Sequence, residues 1–130
     1  MVVGLGVDTI EIARVRRSLD RYGEQFRQRI FTAGEIAYCE ARKRGAAESY
    51  AARFAAKEAG AKALGTGISR GISWREIEVR RQHGCAPTLH FSGRAAERAA
   101  QLGATRVSLA LTHGRDAALA VVVMENQSRE

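Results

Sequence analysis

The stretch ESYAARFAAKEAGAKAL, from Glu48 to Leu64, constrains the fold more than any other part of the chain. It is a nearly unbroken run of strong helix formers, alanine above all, and predicts one long central helix. Gly65 follows directly and can end that helix in a left-handed cap. The next residues, GTGISRGIS, read as an exposed loop.

Upstream, MVVGLGV (Met1 to Val7) is a short apolar run that suits a buried strand, with glycines where another backbone or a ligand comes close. It is not a dinucleotide fingerprint, because GLGVDT lacks the third glycine of GxGxxG. From about Thr9 to Tyr22 the period becomes helical, with Ile12, Val15 and Leu19 on one face and Arg14, Arg17 and Arg21 in a basic stripe on another. Thr32 with Glu35 three residues on forms a capping box for a helix over AGEIAYCEARK. After the central helix the period changes to two. EIEVRRQ and TLHF alternate as half-buried strands, SGRAAERAAQLGA makes a short helix, and RVSLALTHG with AALAVVVME forms a hairpin across GRD. Helices first and hairpin-linked strands after them predict an α+β fold, a small antiparallel sheet packed against helices. The 130 residues fit one domain, and NQSRE is a polar tail.

Composition narrows the function classes. A formal charge of +7 and a pI near 10.2 attract an anionic partner without naming it. Aromatics at 6% leave few stacking platforms, and neither an aromatic RNA-binding strand nor a recognition helix appears, so nucleic acid is disfavoured. No apolar run approaches the roughly 20 residues of a membrane span, and the N-terminus carries no secretory signal, so a cytoplasmic location is expected. Cys39 and Cys85 belong to no CxxC pair and read as reduced, partly buried thiols.

The chemistry-bearing candidates are few. Asp8 lies between the first strand and the first helix, either as a near-cap acid or as a metal ligand. Glu58 and Lys62 stand at i and i+4, a pair that contributes about 0.2 to 0.5 kcal/mol on an exposed helix. Yet two carboxylates from different elements are also what Mg²⁺ uses while it keeps waters and phosphate oxygens. Gly65, Thr66 and Gly67 could turn backbone N–H groups toward a phosphate, or simply stop the helix. His113 ends a strand beside a turn, where it could meet a phosphate or serve structure alone. His83 and His90 suggest no role. There is no Ser/His/Asp order, nucleophile elbow, Walker loop or HExxH, which disfavours nucleophilic and zinc catalysis.

Taken in order, GLGVDTIEIARVRR, RIFTAGEIAYCE, RFAAKEAGAKALGTG and VSLALTHGRDAALAVVV resemble the holo-acyl-carrier-protein synthase family of 4′-phosphopantetheinyl transferases. FAAKEAGAK, from Phe54 to Lys62, is the most specific element, paired with Asp8 upstream. The resemblance implies transfer of the phosphopantetheine arm of coenzyme A to a serine of an acyl carrier protein, with Mg²⁺ as cofactor. On the matching positions Asp8 and Glu58 would hold the metal, and Lys62 would offset phosphate charge. Arg53, Gly65, Thr66, Gly67 and His113 would contact the phosphates of coenzyme A. The attacking serine would belong to the carrier, which accounts for the missing nucleophile. Arg14, Arg17 and Arg21 would dock that acidic carrier, and the family further suggests a homotrimer with sites between subunits. Thr112 stands where the family often has serine.

Overall fold

A computed structural model describes residues 1–82 and 84–127. His83 and the last three residues of the tail lie outside the described residues. Strand β1 (Val2–Glu11) leads into helices α1 (Ile12–Tyr22), α2 (Glu24–Ile30), α3 (Ala33–Glu40) and α4 (Ala46–Ala63). Strands β2 (Ile77–Arg80) and β3 (Thr88–Phe91) follow, then helix α5 (Gly93–Gln101) and strands β4 (Arg106–His113) and β5 (Ala117–Glu125). The strands form a three-stranded antiparallel sheet of order β1-β5-β4 and a separate β2-β3 pair. The expected α+β class, the long central helix and the β4–β5 hairpin are all present.

Helix α4 is the axis of the molecule. It packs between the two sheets and is buried on nearly every side. A helix apolar all round belongs in a core, and alanine is what permits the neighbouring backbones to come so near. The glycines of GLG complete that fit. A Cβ on Gly4 would run into the Ala63 carbonyl oxygen, and one on Gly6 into the Ala59 carbonyl oxygen. On the other side, a Cβ on Gly60 would lie 3.0 Å from Ile77 and 3.2 Å from Leu89. The close partner anticipated for the GLG strand is therefore α4 itself.

Strand β1 is longer than its apolar run. It continues through Asp8 to Glu11, held by β5 in the register Asp8↔Ala120 and Ile10↔Ala118. Asp8 is accordingly neither at a strand end nor at a helix cap; the residue at the N-cap of α1 is Glu11. The sheet ladder takes Thr9 to Glu11 out of the helix expected from about Thr9 onward, because β5 offers each of their backbone groups a partner. Helix α2 has no counterpart in the sequence reading; Gly23, at φ 54°, turns the chain between α1 and α2.

The capping box forms as the sequence indicates, with Glu35 N–H donating to Thr32 Oγ1 at 3.2 Å and Thr32 N–H to Glu35 Oε1 at 2.9 Å. Cys39 is fully buried and Cys85 exposed, both as free thiols.

Candidate active site at the β1–α4 seam

Residues directly opposite in the register share a sheet face. Gly6, Asp8 and Ile10 therefore face α4 together with Ala118, Ala120 and Val122 of β5. The two close-approach glycines bring that face against the helix, and Asp8 meets its C-terminal half. Lys62 Nζ donates to Asp8 Oδ1 at 2.8 Å and to the Val7 carbonyl at 3.2 Å. Glu58, one turn earlier on the same helical face, is half-buried beside them.

This alters the sequence expectation for Glu58 and Lys62. Among the described residues Lys62 pairs with Asp8, and Glu58 forms no ion pair within 4.0 Å. Burial and the Asp8 carboxylate push the Glu58 carboxyl above the usual carboxylate range, against the opposing pull of Lys62 and Arg14. Its hydrogen bond to Asp8 raises Lys62 in turn. Two carboxylates thus share a seam with one lysine and one nearby arginine.

The donor set suits a hard divalent cation, which takes oxygen ligands and would relieve the strain between two like charges. Among the described residues no three His, Cys, Asp or Glu side chains converge. The protein thus offers Asp8 and Glu58 alone, leaving the remaining positions to water and phosphate oxygens, as Mg²⁺ prefers.

The other candidates distribute unevenly. His113 pairs with Ala118, which pairs with Ile10, so His113 sits two strands across on the same sheet face as Asp8. Strand spacings put the two about 12 Å apart, and the exposed His113 ring approaches only its neighbour Gly114 O at 3.4 Å. Arg14 stands near enough to Glu58 to act on it, and Arg17 and Arg21 continue from it along the exposed side of α1.

Gly65 has the expected left-handed conformation, at φ 79°. Its amide, however, donates to Lys62 O at 2.9 Å, and those of Thr66 and Gly67 donate to Ala61 O at 3.3 and 3.1 Å. The anticipated rim of free N–H groups is thus absent: all three amides satisfy carbonyls that the end of α4 would otherwise leave bare. Only the Thr66 side chain and the space around the glycines remain for a ligand.

Arg53 does not join the Asp8 cluster. Nine residues are about two and a half helical turns, so Arg53 and Lys62 point to opposite sides of α4. Arg53 is buried, with its guanidinium 4.1 Å from the Tyr38 ring centre and Nη1 donating to Ser49 O at 3.3 Å. Its Nε is buried with no hydrogen-bond partner, and it lines a small cavity with Tyr38, Arg80 and Arg81.

The buried Glu35–Lys57 pair is absent from the sequence reading. Lys57 Nζ lies 2.7 Å from Glu35 Oε1 and also donates to Ile77 O at 2.7 Å and Trp74 O at 3.1 Å. Glu35 Oε2 accepts from Val79 N–H at 2.7 Å. Burial pushes the Lys57 ammonium below its ordinary range, with Glu35 opposing that shift. The pair ties α3, α4 and β2 together. Local pattern does not single Lys57 out, because Lys62, also set between alanines on the same helix, is exposed.

Comparison with known proteins identifies the relatives of this chain. A holo-[acyl-carrier-protein] synthase of Solibacter usitatus is 49% identical over 126 residues, covering 97% of this chain and all of the relative. The crystal structure of the holo-[acyl-carrier-protein] synthase from Neisseria meningitidis superposes with a TM-score of 0.86 at 33% identity, over 97% of this chain and 100% of that one. The Bacillus anthracis holo-(acyl-carrier-protein) synthase, solved in complex with CoA (3′,5′-ADP), gives 0.81 at 37% identity, over 98% and 99%. With residues 4–122 matching the family model as well, this chain belongs to the 4′-phosphopantetheinyl transferase superfamily.

Proposed function

We propose that this chain is a holo-[acyl-carrier-protein] synthase, a single transferase domain that moves the 4′-phosphopantetheine arm of coenzyme A onto a serine of an apo acyl carrier protein. The observation that carries the reading is the Asp8–Lys62 contact at 2.8 Å with Glu58 beside it, set on a strand-to-helix seam that two glycines hold closed. Membership of the family and the coenzyme A complex of a 37% identical relative support the substrate.

In the reaction a carrier serine Oγ bonds to the phosphopantetheine phosphorus. The bridging P–O bond of the pyrophosphate breaks, and adenosine 3′,5′-bisphosphate leaves. Asp8 and Glu58 are the residues that would hold Mg²⁺, which when bound supplies charge neutralisation on the pyrophosphate. Lys62, with Nζ anchored on Asp8, presents its remaining N–H groups to the phosphates and lowers the cost of the charge that develops on the leaving group. Glu58, half-buried beside Asp8 and Lys62, is the carboxylate we assign to take the serine proton. His113 and Thr66 flank the course of the nucleotide. Arg14, Arg17 and Arg21 make a cationic track that starts beside Glu58 and suits an acidic carrier approaching the same spot.

A homotrimer with shared sites is part of the proposal. Two features favour it. The outer face of the three-stranded sheet is apolar and uncovered, with Leu5 64% and Val7 51% exposed and Leu119, Val121 and Val123 only half-buried. Arg53, turned away from Asp8 and with a buried nitrogen that has no hydrogen-bond partner, is consistent with a role toward coenzyme A bound by a neighbouring copy. Among the described residues no helix is long and apolar enough to cross a membrane.

Mixing the protein with coenzyme A, Mg²⁺ and an apo acyl carrier protein, then weighing the carrier by mass spectrometry, tests the reading. The expected result is a gain of one phosphopantetheine that EDTA abolishes. No gain with any of several apo carriers would refute it.

A further inference from the structure

We infer that the cleft between α5 and the loop after α4 is a second anion site, built for a phosphate-class anion by Arg70, Arg94 and Arg98. The cleft holds about 470 Å³, and these three arginines and Thr66 stand on its walls with Glu97 as the one acid. None of the three arginines takes part in an ion pair among the described residues. Three unneutralised guanidinium groups facing one acid leave a surplus of positive charge that a dianion offsets.

Arg98 is anchored by its side chain, while Arg94 and Arg70 stand exposed on the walls, placed there by the backbone that carries them. Arg98 Nε donates to Leu64 O at 2.9 Å, which covers the negative end of α4, and its terminal nitrogen comes within 3.5 Å of the place a Cβ on Gly65 would take. Without that contact the carbonyl end of the helix would repel an anion there. The Arg94 backbone N–H donates to Glu76 Oε2 at 2.8 Å, and its side chain lies so close to Gly71 that a Cβ there would sit 2.9 Å from Arg94 Cδ. Arg70 is the one described non-glycine residue with positive φ, at 55°, and Gly71 follows at 86°. An L residue in the left-handed region costs free energy that its surroundings must offset, and here the turn carries a third guanidinium to the cleft.

Guanidinium forks match tetrahedral oxyanions, donating two N–H bonds to two oxygens at once. A monocarboxylate engages one fork, whereas a phosphate has oxygens enough for all three. The site does not rest on the transferase reading, since it lies beyond the C-terminal end of α4 and uses neither Asp8 nor Glu58. Two sources share its chemistry, free inorganic phosphate and a phosphate of coenzyme A, because Thr66 borders both the cleft and the proposed nucleotide course.

Titration of inorganic phosphate into the full chain, followed by ³¹P NMR at constant ionic strength set with chloride, tests the inference. Arg70→Gln and Arg94→Gln should each weaken phosphate binding about tenfold, as expected for loss of a charge-assisted contact. Arg94→Lys, which keeps the charge but loses the fork, should recover part of that loss. Arg106→Gln, which removes an exposed charge outside the cleft, should leave binding unchanged. Equal affinity in wild type and both cleft glutamine variants would overturn the site, as would an equal loss of binding in Arg106→Gln. A coenzyme A competition arm identifies the source. Displacement of phosphate by coenzyme A, with a parallel loss of coenzyme A affinity in Arg94→Gln, assigns the site to coenzyme A; simultaneous binding of both assigns it to free phosphate.

Discussion

Gly6→Ala isolates the link between the fold and the proposed catalytic centre. The added Cβ falls on the Ala59 carbonyl oxygen and within 2.9 Å of Ala59 C and Ala63 N, all of them helix backbone, which cannot rotate away as a side chain can. Real Cβ atoms essentially never come within 3.0 Å of such neighbours. The strand must therefore lift off α4, parting the seam that Ala118, Ala120 and Val122 help to fill. Overpacking a core by one methyl costs about 1–3 kcal/mol, and a backbone obstacle places this case at the upper end. For a domain of this size that corresponds to a fall in Tm of about 8–12 °C. Asp8 is two residues on, on the same face, so the lift also separates it from Lys62 and Glu58. A displacement near 1 Å lowers turnover by about a hundredfold. Urea unfolding gives the stability change, and turnover measured well below the new Tm gives the second effect. If Gly6→Ala retained wild-type stability and turnover, the close seam and its control of Asp8 would both be wrong.

Three further outcomes are expected. Lys57→Met leaves the Glu35 carboxylate buried without its cation and should cost about 3–5 kcal/mol in urea unfolding; the double variant Glu35→Gln/Lys57→Met should recover much of that. In the metal-free protein the raised Glu58 carboxyl holds its proton more tightly when folded than when unfolded. Its contribution to stability is present below the ordinary value of 4.5 and lost as pH rises through its folded pKa. Glu58→Gln should accordingly unfold at higher temperature than wild type at about pH 7 and gain nothing at about pH 3.5, by calorimetry. Reversing charge at Arg14 and Arg21 should raise KM for the carrier far more than for coenzyme A, and more so at low salt; an equal effect on both substrates would contradict docking.

Period and punctuation made most of the fold legible. ESYAARFAAKEAGAKAL announced α4, the Thr32–Glu35 box announced α3, and alternation announced the hairpins. What misled was Thr9 to Glu11, read as the start of the helix but paired with β5, a partner more than a hundred residues away that local pattern does not reveal. The same strand extension moved Asp8 from a supposed cap to the interior of an edge strand, where it meets Lys62. Glu58 and Lys62 were legible as neighbours on one face, yet their pairing was not, because Asp8 outcompetes Glu58 for the ammonium. Gly65 to Gly67 were legible as a helix stop, and the fate of their amides followed from it: a stop uses the donors that a phosphate would need. Lys57 drew no reading from the sequence because its burial depends on the β2–β3 hairpin packed over it. The Arg53 side chain points away from the Asp8 cluster by simple helical geometry, which the resemblance alone did not reveal.

The claim that Asp8 and Glu58 form the catalytic centre is tested most directly by phosphopantetheine transfer in Asp8→Asn and Glu58→Gln. Each should keep the wild-type circular dichroism spectrum and lose at least about a thousandfold in turnover at saturating coenzyme A, the scale of removing a principal charge-stabilising group. Turnover within a few fold of wild type in either variant would remove that residue from the chemistry and contradict the account.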